Sequence, residues 1–169
     1  PRPKHTVEKN LDALRVLGIF PKSDERDLFF HIPEEAKDRV EHLLPEHPYV
    51  LIHPVSRWMF KTLPEETIVQ VISYLHERGE KVVLTASPDP EEIAMNERIC
   101  KMIPGVINLS GKITLKELGA VIEKAMMLIT VDSVPLHLAS ALKKPTVAIF
   151  GPTCDQNWGP WRNPRSKIV

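Results

Sequence analysis

The sequence is poor in the features that would commit it to an extracellular, membrane-spanning or nucleic-acid-binding life. It has two cysteines, Cys100 and Cys154, far apart and without CxxC spacing. That excludes a disulfide framework and fits reduced thiols in a cytoplasmic protein. Lys plus Arg number 22 and Asp plus Glu number 22, so no overall field draws the chain to nucleic acid or to an anionic membrane, and any anion must be held locally. No apolar run approaches the roughly 18–20 residues that span a bilayer, and no charged-then-apolar leader opens the chain. Repeats, low-complexity tracts and charge blocks are missing. So are G-x-G-x-x-G, the P-loop pattern, a Ser-His-Asp spacing and a metal-ligand cluster. The usual support for a dinucleotide oxidoreductase or a P-loop NTPase is therefore gone, and neither a metal nor a cofactor is expected.

What is present is a core's worth of apolar residues, 43% of 169, enough for one substantial domain. The 16 prolines are scattered, punctuating loops and first helical turns rather than marking disorder. Helical spacing runs from Thr6, a candidate cap, to Leu17 before Gly18. Pro33-Glu34-Glu35 opens a second helix, with proline at its first position. Tyr49-Val50-Leu51-Ile52 is then apolar without alternation, as in a strand buried on both faces of a parallel sheet.

Downstream the rhythm repeats. Helices open at Thr62-Leu63-Pro64, Pro90-Glu91-Glu92, Thr114 and Ser133, the last capped by Ser133. Strands fall at Lys81–Thr85, Val106–Leu109, Met127–Val131 and Pro145–Phe150. Strands alternating with helices predict an α/β fold, an open parallel Rossmann-like sheet with helices on both faces. The chain opens on Pro1-Arg2-Pro3 without methionine and closes on a strand-like Ser166–Val169, which suggests excision from a longer protein. Residues 1–20 are expected to form a linker and helix, and 21–169 the domain proper.

In such sheets ligands collect at the carboxyl ends of the strands, near helix amino termini with free N–H groups. Three segments converge there. His53 to Lys61 carries a hydroxyl and two cations, so Ser56 and Lys61 can grip a phosphate, unless the segment is only a solvated basic loop. Asp132-Ser133 hands a strand to a helix. Asp132 sits badly beside a phosphate, because like charges repel, and is better cast as a hydroxyl acceptor or as a partner to Lys61. His137 lies one turn after Ser133 on the same face, as a site residue or a packed one. Phe150-Gly151-Pro152-Thr153 gives a rigid loop for close backbone approach, or simply a turn.

Asp132 to Leu142 followed by Pro145 to Thr153 resembles the D-[ST]-x-x-x-H-L-A-x-A-L…P-T-V-x-[IL]-[FY]-G-P-T signature of the ADP-heptose:lipopolysaccharide heptosyltransferases. Lys61-Thr62-Leu63-Pro64 is similar to the family's K-x-[WL]-P. The nearest flavour is the branch often called heptosyltransferase III. The resemblance implies the C-terminal, donor-binding half of a GT-B glycosyltransferase, with the N-terminal acceptor domain absent from this chain. By that likeness Ser56 and Lys61 meet the diphosphate of ADP-heptose, Ser133 and the N–H groups after it complete the cradle, Asp132 takes a heptose hydroxyl, and His137 supports the site. Asp89 is the implied ribose-binding acid. Val134 stands where the family often has glycine. The general base belongs to the missing domain, so no catalytic residue is expected here, and the fragment alone should be inactive. The implied acceptor is the lipopolysaccharide inner core. The implied place is the cytoplasmic side of a Gram-negative-type inner membrane, with peripheral contact through the missing domain.

Overall fold

A computed structural model describes residues 3–169, so Pro1 and Arg2 of the expected linker lie outside the described residues. Six strands, β1 (Tyr49–His53), β2 (Lys81–Leu84), β3 (Ile107–Asn108), β4 (Met127–Val131), β5 (Thr146–Ile149) and β6 (Ser166–Ile168), form one sheet in the order β3-β2-β1-β4-β5-β6. All five pairings are parallel. The order reverses between β1 and β4, which makes their carboxyl ends the switch point of a doubly wound sheet. The Rossmann-like α/β fold is as the sequence predicts.

Strand pleating divides the core. Tyr49 and Leu51 of β1, Val83 of β2 and Leu128 of β4 face α2 (Glu34–Glu41), α5 (Leu115–Lys124) and α6 (Val134–Ala141). Val50 and Ile52 of β1, with Val82 and Leu84 of β2, face α3 (Glu65–Glu77) and α4 (Pro90–Met102). Because successive side chains point to opposite faces, only a strand apolar at every position can serve both layers, and β1 is buried at all five. β4 is different. Its Met127 and Ile129 are only half-buried, since α3 and α4 cover chiefly β1 and β2.

α1 (Thr6–Val16) has no buried residue and lies off both layers. It is tied down at its start, where His5 Nε2 meets the Gly159 carbonyl oxygen at 3.0 Å and the His5 ring lies 4.6 Å from that of Trp161. His5, not Thr6, caps this helix, its ring nitrogen accepting from the Val7 N–H. Pro33 stands at the N-cap of α2 rather than inside it, where its extended backbone launches the helix from a residue that has no N–H to lose. Sequence reading also missed a 3-10 turn at Met59–Lys61 and the short α7 (Asp155–Trp158). Both are too brief to leave a periodic signal.

Candidate functional site

The carboxyl ends of β1, β2 and β4 and the turn entering α5 enclose a cleft of about 260 Å³. Its polar lining comes from His53, Ser56, Ser87, Thr114 and Ser133, with Arg57 at its side. Ala86, Pro88, Ile113, Leu115 and Leu118 make an apolar wall. Thr114 holds the α5 end of that wall through a capping box: its hydroxyl accepts from the Glu117 N–H, and the Glu117 carboxylate accepts from the Thr114 N–H at 2.6 Å. These two hydrogen bonds satisfy two donors that the helix start would otherwise leave unpaired, and the backbone N–H holds the Glu117 carboxyl below the usual carboxylate range.

Next to Ser133 of the cleft lining, Lys61 Nζ donates to Asp132 Oδ2 at 2.7 Å, and Thr153 Oγ1 donates to the same oxygen at 2.8 Å. Side-chain exposure is 15% for Lys61 and 5% for Asp132. The register makes this meeting possible: His53 pairs with Thr130, so the loops leaving β1 and β4 emerge side by side, while Thr153 follows β5, the next strand over. Asp132 is thus the partner to Lys61, and the hydroxyl it accepts from is that of Thr153.

Ser56 is buried and lines the cleft, its hydroxyl accepting from the Trp58 N–H at 3.4 Å. Ser133 sits at the N-cap of α6 but does not cap it with its side chain. Its hydroxyl turns back to the Val131 carbonyl oxygen at 3.3 Å, with Thr130 Oγ1 at 3.2 Å. Pro135 has no N–H, and the Leu136 N–H donates to the Ser133 carbonyl at 3.1 Å. The first turn of α6 therefore offers an anion fewer donors than its sequence suggests. His137 is half-buried, its ring 6.3 Å from that of Trp158, and it makes no hydrogen bond among the described residues. Burial holds its pKa below the ordinary histidine value, against the opposing pull of Asp132.

Asp89 is not brought to the cleft wall. Its carboxylate caps α4, accepting from the N–H groups of Glu91 and Glu92 at 2.9 and 3.3 Å. An Asp-Pro-Glu-Glu run is a strong helix-start pattern, and that local role accounts for the residue. The nearby Glu92 is buried and accepts from the Ser87 N–H at 2.8 Å, holding the cleft loop from below. Sequence reasoning missed Thr153, although it ends the quoted signature, and missed the wall from Ile113 to Leu118, whose pattern reads as ordinary helix core. Among the described residues no cluster of His, Cys, Asp and Glu is arranged to hold a metal ion.

A doubly wound parallel sheet with a polar-and-apolar cleft at its switch point, and a half-buried lysine on a buried aspartate beside it, defines a Rossmann-type ligand-binding domain. The chain belongs to glycosyltransferase family 9, the heptosyltransferases, whose family model matches residues 1–169. It is 36% identical over 163 residues to the lipopolysaccharide heptosyltransferase 3 of Escherichia coli, a match covering 94% of this chain and 48% of that protein. The chain spans about half the length of the curated relatives it matches most fully. In fold it is similar to a family 9 glycosyl transferase from Veillonella parvula, with TM-score 0.85 and 23% identity over 99% of this chain and 50% of that one. It is also similar to an E. coli heptosyltransferase solved with ADP-2-deoxy-2-fluoro heptose, with TM-score 0.71 and 22% identity over 100% of this chain and 50% of the other.

Proposed function

We propose that this chain is the donor-nucleotide half of a lipopolysaccharide heptosyltransferase, holding ADP-heptose for transfer to an inner-core sugar. The observation that carries the reading is the cation-acid pair of Lys61 and Asp132, poised beside a cleft whose far wall is apolar. A nucleotide-sugar needs both ends: a flat base gains from apolar burial, and a diphosphate gains from a fixed cation. Ser56, Lys61 and Ser133 serve the diphosphate in this reading, Asp132 takes a sugar hydroxyl, and His137 buttresses the same rim. Departure of ADP can be stabilised by that lysine and the α6 amino terminus without a metal.

Residues 21–169 form the C-terminal domain of a GT-B enzyme, and residues before 21 join it to an acceptor half. The carboxylate that deprotonates the acceptor must lie within hydrogen-bond reach of the attacking hydroxyl, and we place it in that other half, so these residues alone bind without turning over. The work is done on the cytoplasmic side of the inner membrane. No helix among the described residues is long and apolar enough to cross a membrane. In this reading peripheral contact with the membrane is made by the acceptor half. Calorimetry of this chain with ADP, UDP and GDP is the test. ADP should bind weakly but best, because closure over the donor is incomplete. Equal binding of all three would move the chain to a glycosyltransferase with another donor, and no binding of any would leave a non-catalytic domain.

A further inference from the structure

His53 closes β1 at the floor of the cleft and is 6% exposed. Its Nδ1 lies 3.0 Å from Thr85 Oγ1, and Thr85 is 1% exposed. Neither side chain makes any other hydrogen bond among the described residues, and the imidazole lines the cleft beside Ser56, Ser87 and Ser133. Two tautomers satisfy the 3.0 Å contact, but they are not equal. If Nδ1–H donated to the threonine, the buried hydroxyl proton would be left without an acceptor, and an unmet buried donor is costly. If the threonine hydroxyl donates to Nδ1, its proton is satisfied and the ring proton moves to Nε2, the nitrogen that finds no partner in the protein. Burial also lowers the imidazole pKa to about 4, which keeps the ring neutral at physiological pH.

We propose that His53 is a further ligand-contacting residue, locked by Thr85 as the Nε2–H tautomer and donating to an oxygen of the phosphoribosyl part of the bound nucleotide. The inference rests on the nucleotide reading above. Its place in the fold decides which part of the ligand it meets: Ser56, in the loop that leaves β1, and Ser133, just past the end of the neighbouring strand β4, line the cleft with it, while Ile113, Leu115 and Leu118 line the α5 end. A neutral donor here complements the charged Lys61 by holding direction rather than charge, and it adds no repulsion toward that lysine when the site is empty.

Histidine-selective nitrogen-15 NMR on the 169-residue chain tests this, with ADP as the probe. In the free protein His53 should give the pattern of a neutral ring protonated on Nε2, and ADP should shift Nε2 far more than Nδ1. His53→Gln, whose amide can donate from a similar place, should keep ADP affinity within about twofold, and His53→Phe should lower it about three- to tenfold. Thr85→Val, which releases the tautomer lock and keeps the shape, should mix the tautomers and weaken ADP by a smaller factor. A ring protonated on Nδ1 in the free chain overturns the proposal. So does an Nε2 signal that stays still while ADP shifts the amides of Ser56 and Ser133, an outcome that leaves the nucleotide reading standing. No ADP-induced change anywhere in the chain overturns both.

Discussion

At the β4 rim, Lys61 and Thr153 converge on a single carboxylate oxygen of Asp132. At the α5 end the wall is Ala86, Pro88, Ile113, Leu115 and Leu118, held by a capping box below it. The charged end is fixed by three atoms, Lys61 Nζ, Thr153 Oγ1 and Asp132 Oδ2. The apolar end is fixed by shape, and volume-conserving changes there should be tolerated at under about 1.5 kcal/mol. A ligand that uses both ends takes its affinity for water-averse surface from one and its orientation from the other.

The sharpest way to break this comparison is Lys61→Ala. It removes a cation from the donor site and also strands Asp132, whose 5% exposed side chain cannot reach water. Losing one partner of a buried pair costs about 3–5 kcal/mol. The chain should melt several degrees lower, and ADP affinity should fall about tenfold to a hundredfold, the scale of a charge-assisted hydrogen bond. Leu118→Met at the other end should change neither by much. If the two variants behave alike in calorimetry and melting, the ends do not differ in the way the geometry says.

Between the two ends, His53 gives the next effect. Burial lowers its pKa from 6.5 to about 4. Above pH 6.5 the imidazole is neutral in folded and unfolded chains alike, and stability is at its full value. As pH falls from there toward 4, the unfolded chain takes up a proton that the folded chain refuses, so stability is lost, and below about 4 no more is lost on this account. By about pH 4.5 the loss should approach 2–3 kcal/mol. The measurement is the difference between the melting curves of the parent and His53→Gln across this window, in which titrations common to both cancel. A parent and variant that run parallel from pH 7 to pH 4.5 would show that the ring titrates freely and is not buried as found.

These differences also explain how much of the molecule was legible in its sequence. The sheet was legible because its central strands are mostly apolar runs and most of its helices open on proline, glutamate or threonine, signals that need no tertiary context. The Lys61–Asp132 pair was legible as one of two options, because both residues leave strand ends that a parallel sheet brings to one edge. Thr153 was not, since nothing in a Gly-Pro-Thr turn says which carboxylate its hydroxyl will find. Asp89 carries two signals at once: an acid after a strand suits a ribose, and an Asp-Pro-Glu-Glu run also makes it the cap of its own helix, the role its Oδ1 takes here. The apolar wall stayed hidden because Leu118 has the spacing of a core residue, and it does pack against the core as well as line the cleft.

Asp132→Asn should have a smaller effect on stability than Lys61→Ala, although both cut the same pair. An asparagine oxygen still accepts from Thr153, and the freed lysine, with its long stem, can carry its charge to water. The cost should then appear in function: in the whole protein kcat/KM should fall about tenfold to a hundredfold with the melting temperature little changed. A variant that melts well below the parent yet turns over normally once folded would make Asp132 a structural acid.

Arg57 gives the smallest effect and the most discriminating one. It is exposed and lines the cleft, whereas Lys61 stands at the rim on Asp132, so proximity alone would rank Arg57 first. Physical chemistry ranks it second. An exposed guanidinium is hydrated and screened, and its contribution to an anion is of the order of that of a surface pair, about 0.2–1 kcal/mol. Lys61 is already desolvated and oriented by its partner, so a phosphate that joins it meets a charge whose ordering cost has been met by folding. Arg57→Ala should therefore weaken ADP less than about fivefold, and raising the salt from about 0.05 M to about 0.5 M should erase most of the difference from the parent, since screening acts on exposed charges first. The loss in Lys61→Ala should largely survive the same change of salt. If Arg57→Ala proves the more damaging variant, and salt leaves its deficit untouched, then the phosphate lies over the cleft mouth beside Arg57, and the buried pair at the rim serves the fold.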